Sequence, residues 1–137
     1  PAFQAWLSGD QSNIAVNSNV TIQYGNETFD VNADYNNSNY TFTAPVTGKY
    51  QLNVQVLVKI LDSAAAYYQI QLHTSNTIYY HTVDPDYGQD NTYNNQDISV
   101  LADMDAGDTA IVKIHQAGGS QQTDLDAVST FGGILVA

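Results

Sequence analysis

From Lys49 to Leu61 the chain alternates with a period of two: Tyr50, Leu52, Val54, Val56, Val58 and Ile60 fall on one side, against Gln51, Asn53, Gln55 and Lys59 on the other. That is the pattern of an extended strand with one face in a core. Shorter strands are predicted for Ala2 to Leu7, for Asn19 to Tyr24 before the Gly25-Asn26 break, and for Tyr40 to Thr43 before Ala44-Pro45. Tyr67 to Thr74 places Tyr68, Ile70 and Leu72 inward, and Thr77 to Val83 returns after Ser75-Asn76. The two read as a hairpin pairing His73 with a residue near Ile78. Asp84 to Asn95 holds Pro85, Gly88 and a scatter of Asn and Asp, the composition of a long polar loop. Asp97 to Met104 turns Ile98, Val100, Ala102 and Met104 to one face, Asp105 to Asp108 makes a turn, and Thr109 to Gln116 returns. About ten short strands with regular turns and no helical period predict an all-β, antiparallel sandwich, a single domain over residues 1–137.

The closing strand differs from the others because both of its faces are apolar. Val128, Ile134 and Val136 stand with Thr130 on one face, and Phe131, Leu135 and Ala137 on the other. A sandwich core covers one set only, so the other calls for a second layer or a neighbouring copy.

Composition narrows the function. Of 137 residues 43% are hydrophobic, with ten Tyr, a palette of strand formers sufficient for one core. Fourteen acids against three Lys and no Arg leave a formal charge of −11. Such a field repels phosphate backbones and anionic bilayers, so neither nucleic acid nor membrane insertion is expected. Cysteine is absent, which excludes disulfides and thiolate chemistry. Asn19, Asn26, Asn36 and Asn39 open Asn-X-Ser/Thr sequons, which chance supplies in an Asn-rich chain. The start at Pro1 suggests a fragment or processed form.

Four blocks then resemble a known family: the opening Pro1-Ala2-Phe3-Gln4-Ala5; Phe29-Asp30 through Tyr40-Thr41-Phe42-Thr43-Ala44-Pro45-Val46-Thr47-Gly48-Lys49-Tyr50; Leu101 to Gly107-Asp108; and Ser129-Thr130-Phe131-Gly132-Gly133-Ile134-Leu135. In order and spacing they resemble the C1q globular head. The resemblance implies a ten-stranded jelly roll of the C1q and tumour-necrosis-factor type, assembled as a tight homotrimer at the tip of a stalk. It would bury the terminal strand's second face on a three-fold axis, with Phe131 or its neighbours in the core or on that axis, and Phe3, Tyr67, Phe131 and Leu135 as expected contacts. The absence of Arg and Cys and the wealth of Asn, Gln and Tyr depart from the animal members. They suggest a bacterial or phage-borne relative, such as the head of a tail fibre, on a virion or other extracellular surface.

No catalytic pattern emerges. His73, His81 and His115 are the only imidazoles, and the hairpin register keeps His73 and His81 apart, so no triad or zinc site is expected. No nucleophile elbow or phosphate loop is present, and the chain is expected not to be an enzyme. Calcium is the cofactor to consider. Asp84, Asp86 and Asp90, with Asn91 nearby, offer hard oxygen ligands within seven residues, without the EF-hand spacing. Asp103, Asp105 and Asp108 read instead as a turn whose last carboxylate orders backbone amides. Tyr79, Tyr80, Tyr87 and Tyr93 gather in or beside the long loop. Rings mixed with amides and carboxylates can stack on sugars or pack on proteins, so Tyr79, Tyr87, Tyr93 and Asn91 are the expected ligand contacts. Three functions fit: a trimeric recognition head for a cell-surface glycan or protein, a purely structural trimerisation or capsid-decoration module, and a secreted signalling ligand.

Overall fold

The alternation of Lys49–Leu61 becomes β6 (Gly48–Leu61), the axis of one of two six-stranded antiparallel sheets. The computed structural model describes residues 1–137. In sheet A, β6 is flanked on one side by β9 (Asn91–Met104), and on the other by β12 (Thr130–Leu135) and the short β11 (Asp124–Leu125). β12 continues to β1 (Ala2–Trp6) and then β3 (Asn26–Asp30). Sheet B runs β4 (Tyr35–Asn36), β5 (Thr41–Thr43), β10 (Thr109–Ala117), β7 (Tyr67–Thr74), β8 (Ile78–Val83), and β2 (Asn19–Thr21) also pairs with β10. The hairpin register is the expected one, with His73 opposite Ile78.

Aromatic rings tie the sheets together. Phe3 stacks on Phe42 at 4.6 Å and on Tyr35 at 5.1 Å, and meets Phe131 edge-on at 5.0 Å. These contacts join β1 and β12 of sheet A to β4 and β5 of sheet B, in the offset and edge geometries that π-quadrupoles favour. A Cβ on Gly133 would lie 2.6 Å from Leu52 Cδ2 and 3.0 Å from Phe3 Cε1, so only glycine lets β12 lie this close to the plug. Where β11 and β12 share one edge of β6, the gap is filled by Leu57 N–H donating to Ser129 Oγ and Asp126 N–H donating to Leu57 O, each at 2.9 Å.

Four expectations change. Twelve strands replace ten, because β3, β4 and β11 are short pairings that a period-two scan passes over. The polar loop ends at Asp90, and Asn91 and Tyr93 are already in β9, opposite Leu61 and Lys59. Their polarity reflects a strand with a wet outer face rather than a loop. Ile60 is not inward: it takes φ 58° at a bulge and is 41% exposed, and Leu61 turns into the core in its place. Phe3 and Phe131 are 2% and 0% exposed within this one chain, so they are core and not trimer contacts.

Candidate binding faces

Sheet registers place side chains in rows. On the outer face of sheet A one row runs Ala2, Ile134, Gln51, Leu101; the next Gln4, Gly132, Asn53, Ser99; the next Trp6, Thr130, Gln55, Asp97. Ile134 and Leu101 remain 52% and 65% exposed, and Phe29, Trp6, Val136 and Val128 are exposed nearby. A groove of about 300 Å³ lies on this face, lined by Ala2, Gln4, Phe29, Asn53, Thr130 and Ile134 over the bare backbone of Gly132-Gly133. Between the apolar margins the polar side chains are already held: Gln51 Nε2 donates to Asn53 Oδ1 at 3.0 Å and Ser99 Oγ at 2.9 Å, and Gln55 Nε2 donates to Asn95 Oδ1 at 2.9 Å. This is the second face of the closing strand, uncovered as expected. Leu135 is half-buried and packs against the core, while Tyr67 stands on sheet B, stacked on His115. Neither lies on the uncovered face.

At one end of the sandwich a residue that the sequence reading passed over organises the loops. Asp62 is 1% exposed; its Oδ2 accepts N–H groups of Ser120 at 2.6 Å and Gln121 at 2.9 Å, and its Oδ1 accepts that of Ala64 at 3.0 Å. Burial works against ionisation of this carboxyl, but the N–H donors of Gln121, Ala64 and Ser120 outweigh it and hold the carboxyl below its ordinary value. Asp62 N–H in turn donates to Tyr68 Oη at 2.8 Å, and Tyr68 is joined to Thr123 Oγ1 at 2.5 Å. The available sign was Asp62-Ser63-Ala64 directly after the longest strand, the pattern of a side chain that closes a turn.

The expected metal and ligand residues do not converge. Asp90 is committed to Ser63, accepting from N–H at 2.8 Å and Oγ at 2.9 Å, and to Gln121 Nε2. Asp84 Oδ1 accepts the N–H of Asp86 in a local turn. Asp84, Asp86 and Asp90 are not drawn together, and no three acidic or imidazole side chains gather as a metal cluster. Asp108 does order its turn, accepting Asp105 N–H at 2.8 Å. Among the tyrosines, Tyr79 is half-buried and packed on the core, whereas Tyr87 and Tyr93 are 51% and 62% exposed. Alternation along β8 sends Tyr80 outward instead. His73, His81 and His115 stand opposite Ile78, Ile70 and Gln69, with no acid–base partner set among them.

Comparison with known proteins agrees with this architecture. The fold is similar to the globular domain of the zebrafish complement 1qA protein, at 16% identity over 100% of this chain and 98% of that one, TM-score 0.67. It is also similar to murine APRIL, at 13% identity over 98% of each chain, TM-score 0.68. No curated protein matches the chain in sequence. The family model of the C1q domain matches residues 2–136, and on a match of that extent the chain belongs to the C1q domain family.

Proposed function

We propose that this chain is a non-enzymatic head domain that assembles as a homotrimer through the outer face of sheet A. Its remaining surface is presented to a cell-surface glycan or protein, at the tip of a fibre or on a virion or other extracellular surface. C1q domains are generally binding modules that commonly trimerise and are typically secreted or extracellular. The observation that carries the reading is the exposure of Ile134 and Phe29 in the wall of one groove, with Leu101 exposed in the same cross-strand row as Ile134 and Val136 exposed two residues beyond it. Burying these apolar side chains against a copy of the chain is favourable at about 25 cal/mol per Å² of apolar surface, and the amides between them, already bonded to one another, lose no hydrogen bond in doing so.

Native mass at micromolar concentration tests the assembly. Three times 14.9 kDa, about 45 kDa, is expected, and a monomer overturns it. Tyr87 and Tyr93 are the exposed rings of this reading. Changing both to Ala is expected to abolish binding of the trimer to target cells with the mass unchanged. A trimer that binds no cell or glycan is the purely structural module instead.

A further inference from the structure

Three lysines serve a chain of charge −11, and two of them are spent on carboxylates. Lys49 pairs with Asp103 at 2.6 Å, and Lys59 with Asp10 at 2.5 Å and Asp126 at 3.7 Å. Lys113 forms no salt bridge. It stands at the centre of the outer face of sheet B, where the registers set it between Thr21 of β2 and Gln71 of β7, with Tyr80 beyond. The flanking rows are Asn19, His115, Gln69, Thr82 on one side and Ile111, His73, Ile78 on the other. None of these positions is Asp or Glu. Two of the three histidines and the one unpaired lysine therefore share a face from which every acid is missing.

The side chains around Lys113 are also held in place. Gln71, 4% exposed, is the hub: its Oε1 is bonded to His73 Nε2 at 2.8 Å, and its Nε2 donates to Gln69 Oε1 at 3.0 Å and Asn19 Oδ1 at 3.4 Å. Asn19 Oδ1 also meets His115 Nδ1 at 2.9 Å, and the His115 ring stacks on Tyr67 with centroids 5.9 Å apart. A rigid floor of amides and imidazoles beside a partly exposed ring matches a sugar, whose hydroxyls take hydrogen bonds and whose ring face stacks. The free ammonium adds a demand for negative charge.

We propose that the outer face of sheet B, centred on Lys113 and bordered by His73, His115 and Tyr67, binds a carboxylate-bearing sugar. This rests on the recognition reading above and adds a contact on the flank of the head, apart from the loop tyrosines. The carboxylate takes Lys113 Nζ, and Asn19, Gln69 and Tyr67 take the ring and its hydroxyls.

The test titrates the intact, isotope-labelled chain with lactose, lactose capped by sialic acid, and lactose 3-sulfate, following the amide signals of β10 and β7. Sialylated lactose is expected to shift residues around Lys113, and lactose not to. Lys113→Gln is expected to weaken binding about tenfold, with Lys113→Arg keeping most of it, while mass and melting point stay unchanged because Lys113 holds no ion pair. Binding of the sulfate as tightly as the carboxylate overturns the carboxylate assignment. Equal binding of lactose, or binding indifferent to Lys113→Gln, overturns the site. If no sugar perturbs sheet B but the Tyr87 and Tyr93 changes still abolish cell attachment, this site fails and the recognition head stands.

Discussion

The outer faces of the two sheets lie on opposite sides of one core, yet their chemistry differs. On sheet A, Ile134 and Leu101 stand more than half exposed beside a groove over Gly132-Gly133, and the polar centre bonds to itself. On sheet B, the apolar positions at the centre are replaced by Lys113, His73, His115 and a buried Gln71. An apolar rim with satisfied polar groups loses little on meeting a like surface, because no hydrogen bond is stranded. A face with a free cation would bury that charge unpaired, which is costly unless the partner supplies an anion. The same sandwich thus offers one face suited to a copy of itself and one suited to something unlike itself.

The strongest way to break this comparison is to ask whether the terminal strand's inner face serves folding or assembly. Phe131→Ala is expected to destabilise the chain by about 3–5 kcal/mol in urea denaturation, since it empties a buried aromatic plug. A loss below 1 kcal/mol, with dissociation instead, would return Phe131 to the interface. On the opposite face, Ile134→Lys combined with Leu101→Lys is expected to give a folded chain whose mass by light scattering falls from about 45 to 14.9 kDa. The equivalent change on sheet B, Lys113→Gln, is expected to leave the mass alone.

Asp62, among the loops at one end of the sandwich, provides a smaller, pH-dependent test. Asp62→Asn is expected to cost about 2 kcal/mol, the worth of charge-assisted bonds to a buried carboxylate. The folded carboxyl ionises more readily than the unfolded one, so its contribution is complete above the ordinary value of 3.8 and is withdrawn as pH falls below it. The substitution should flatten the acid limb of the stability profile in that window. His73 gives the weakest effect. Desolvation first, and Lys113 second, lower its pKa below 6.5, so stability is full above pH 6.5 and declines as the pH falls toward its folded pKa. His73→Gln is expected to remove that decline, worth less than about 0.5 kcal/mol because the half-buried ring is still screened by solvent. Chelation is expected to leave the melting point unchanged, and a clear drop would restore the acidic loop as a metal site.

The strands most legible in the sequence were those whose alternation is long. Tyr50 to Val58 and Ile98 to Met104 fell on the core side as their period required, because one hydrophobic sheet face imposes a period of two. Legibility failed where a local event resets the period. The bulge at Ile60 exchanged it with Leu61, and short pairings such as Tyr35–Asn36 hold too few residues to show any period. The site residues were harder to see. Tyrosine and aspartate counts drew attention to 84–95, but the structure spends Asp90 on Ser63 and Gln121 and packs Tyr79 on the core. Lys113 and Gln71 are unremarkable in the chain and gain meaning only from their cross-strand neighbours.

The sequence by itself determined the all-β class, the family's register of blocks, the absence of thiol chemistry and a closing strand with one face too many. These follow from period, composition and short-range turns, which act over a few residues. Tertiary structure decided which face of β12 is core, that Asp62 rather than Asp90 is buried among the loops, and that the only unpaired lysine meets two histidines across an acid-free face. Those outcomes depend on partners tens of residues away, such as Gln71 and Asn19 beside Lys113 and His115, and side-chain burial and charge pairing are properties of that juxtaposition and not of any local pattern.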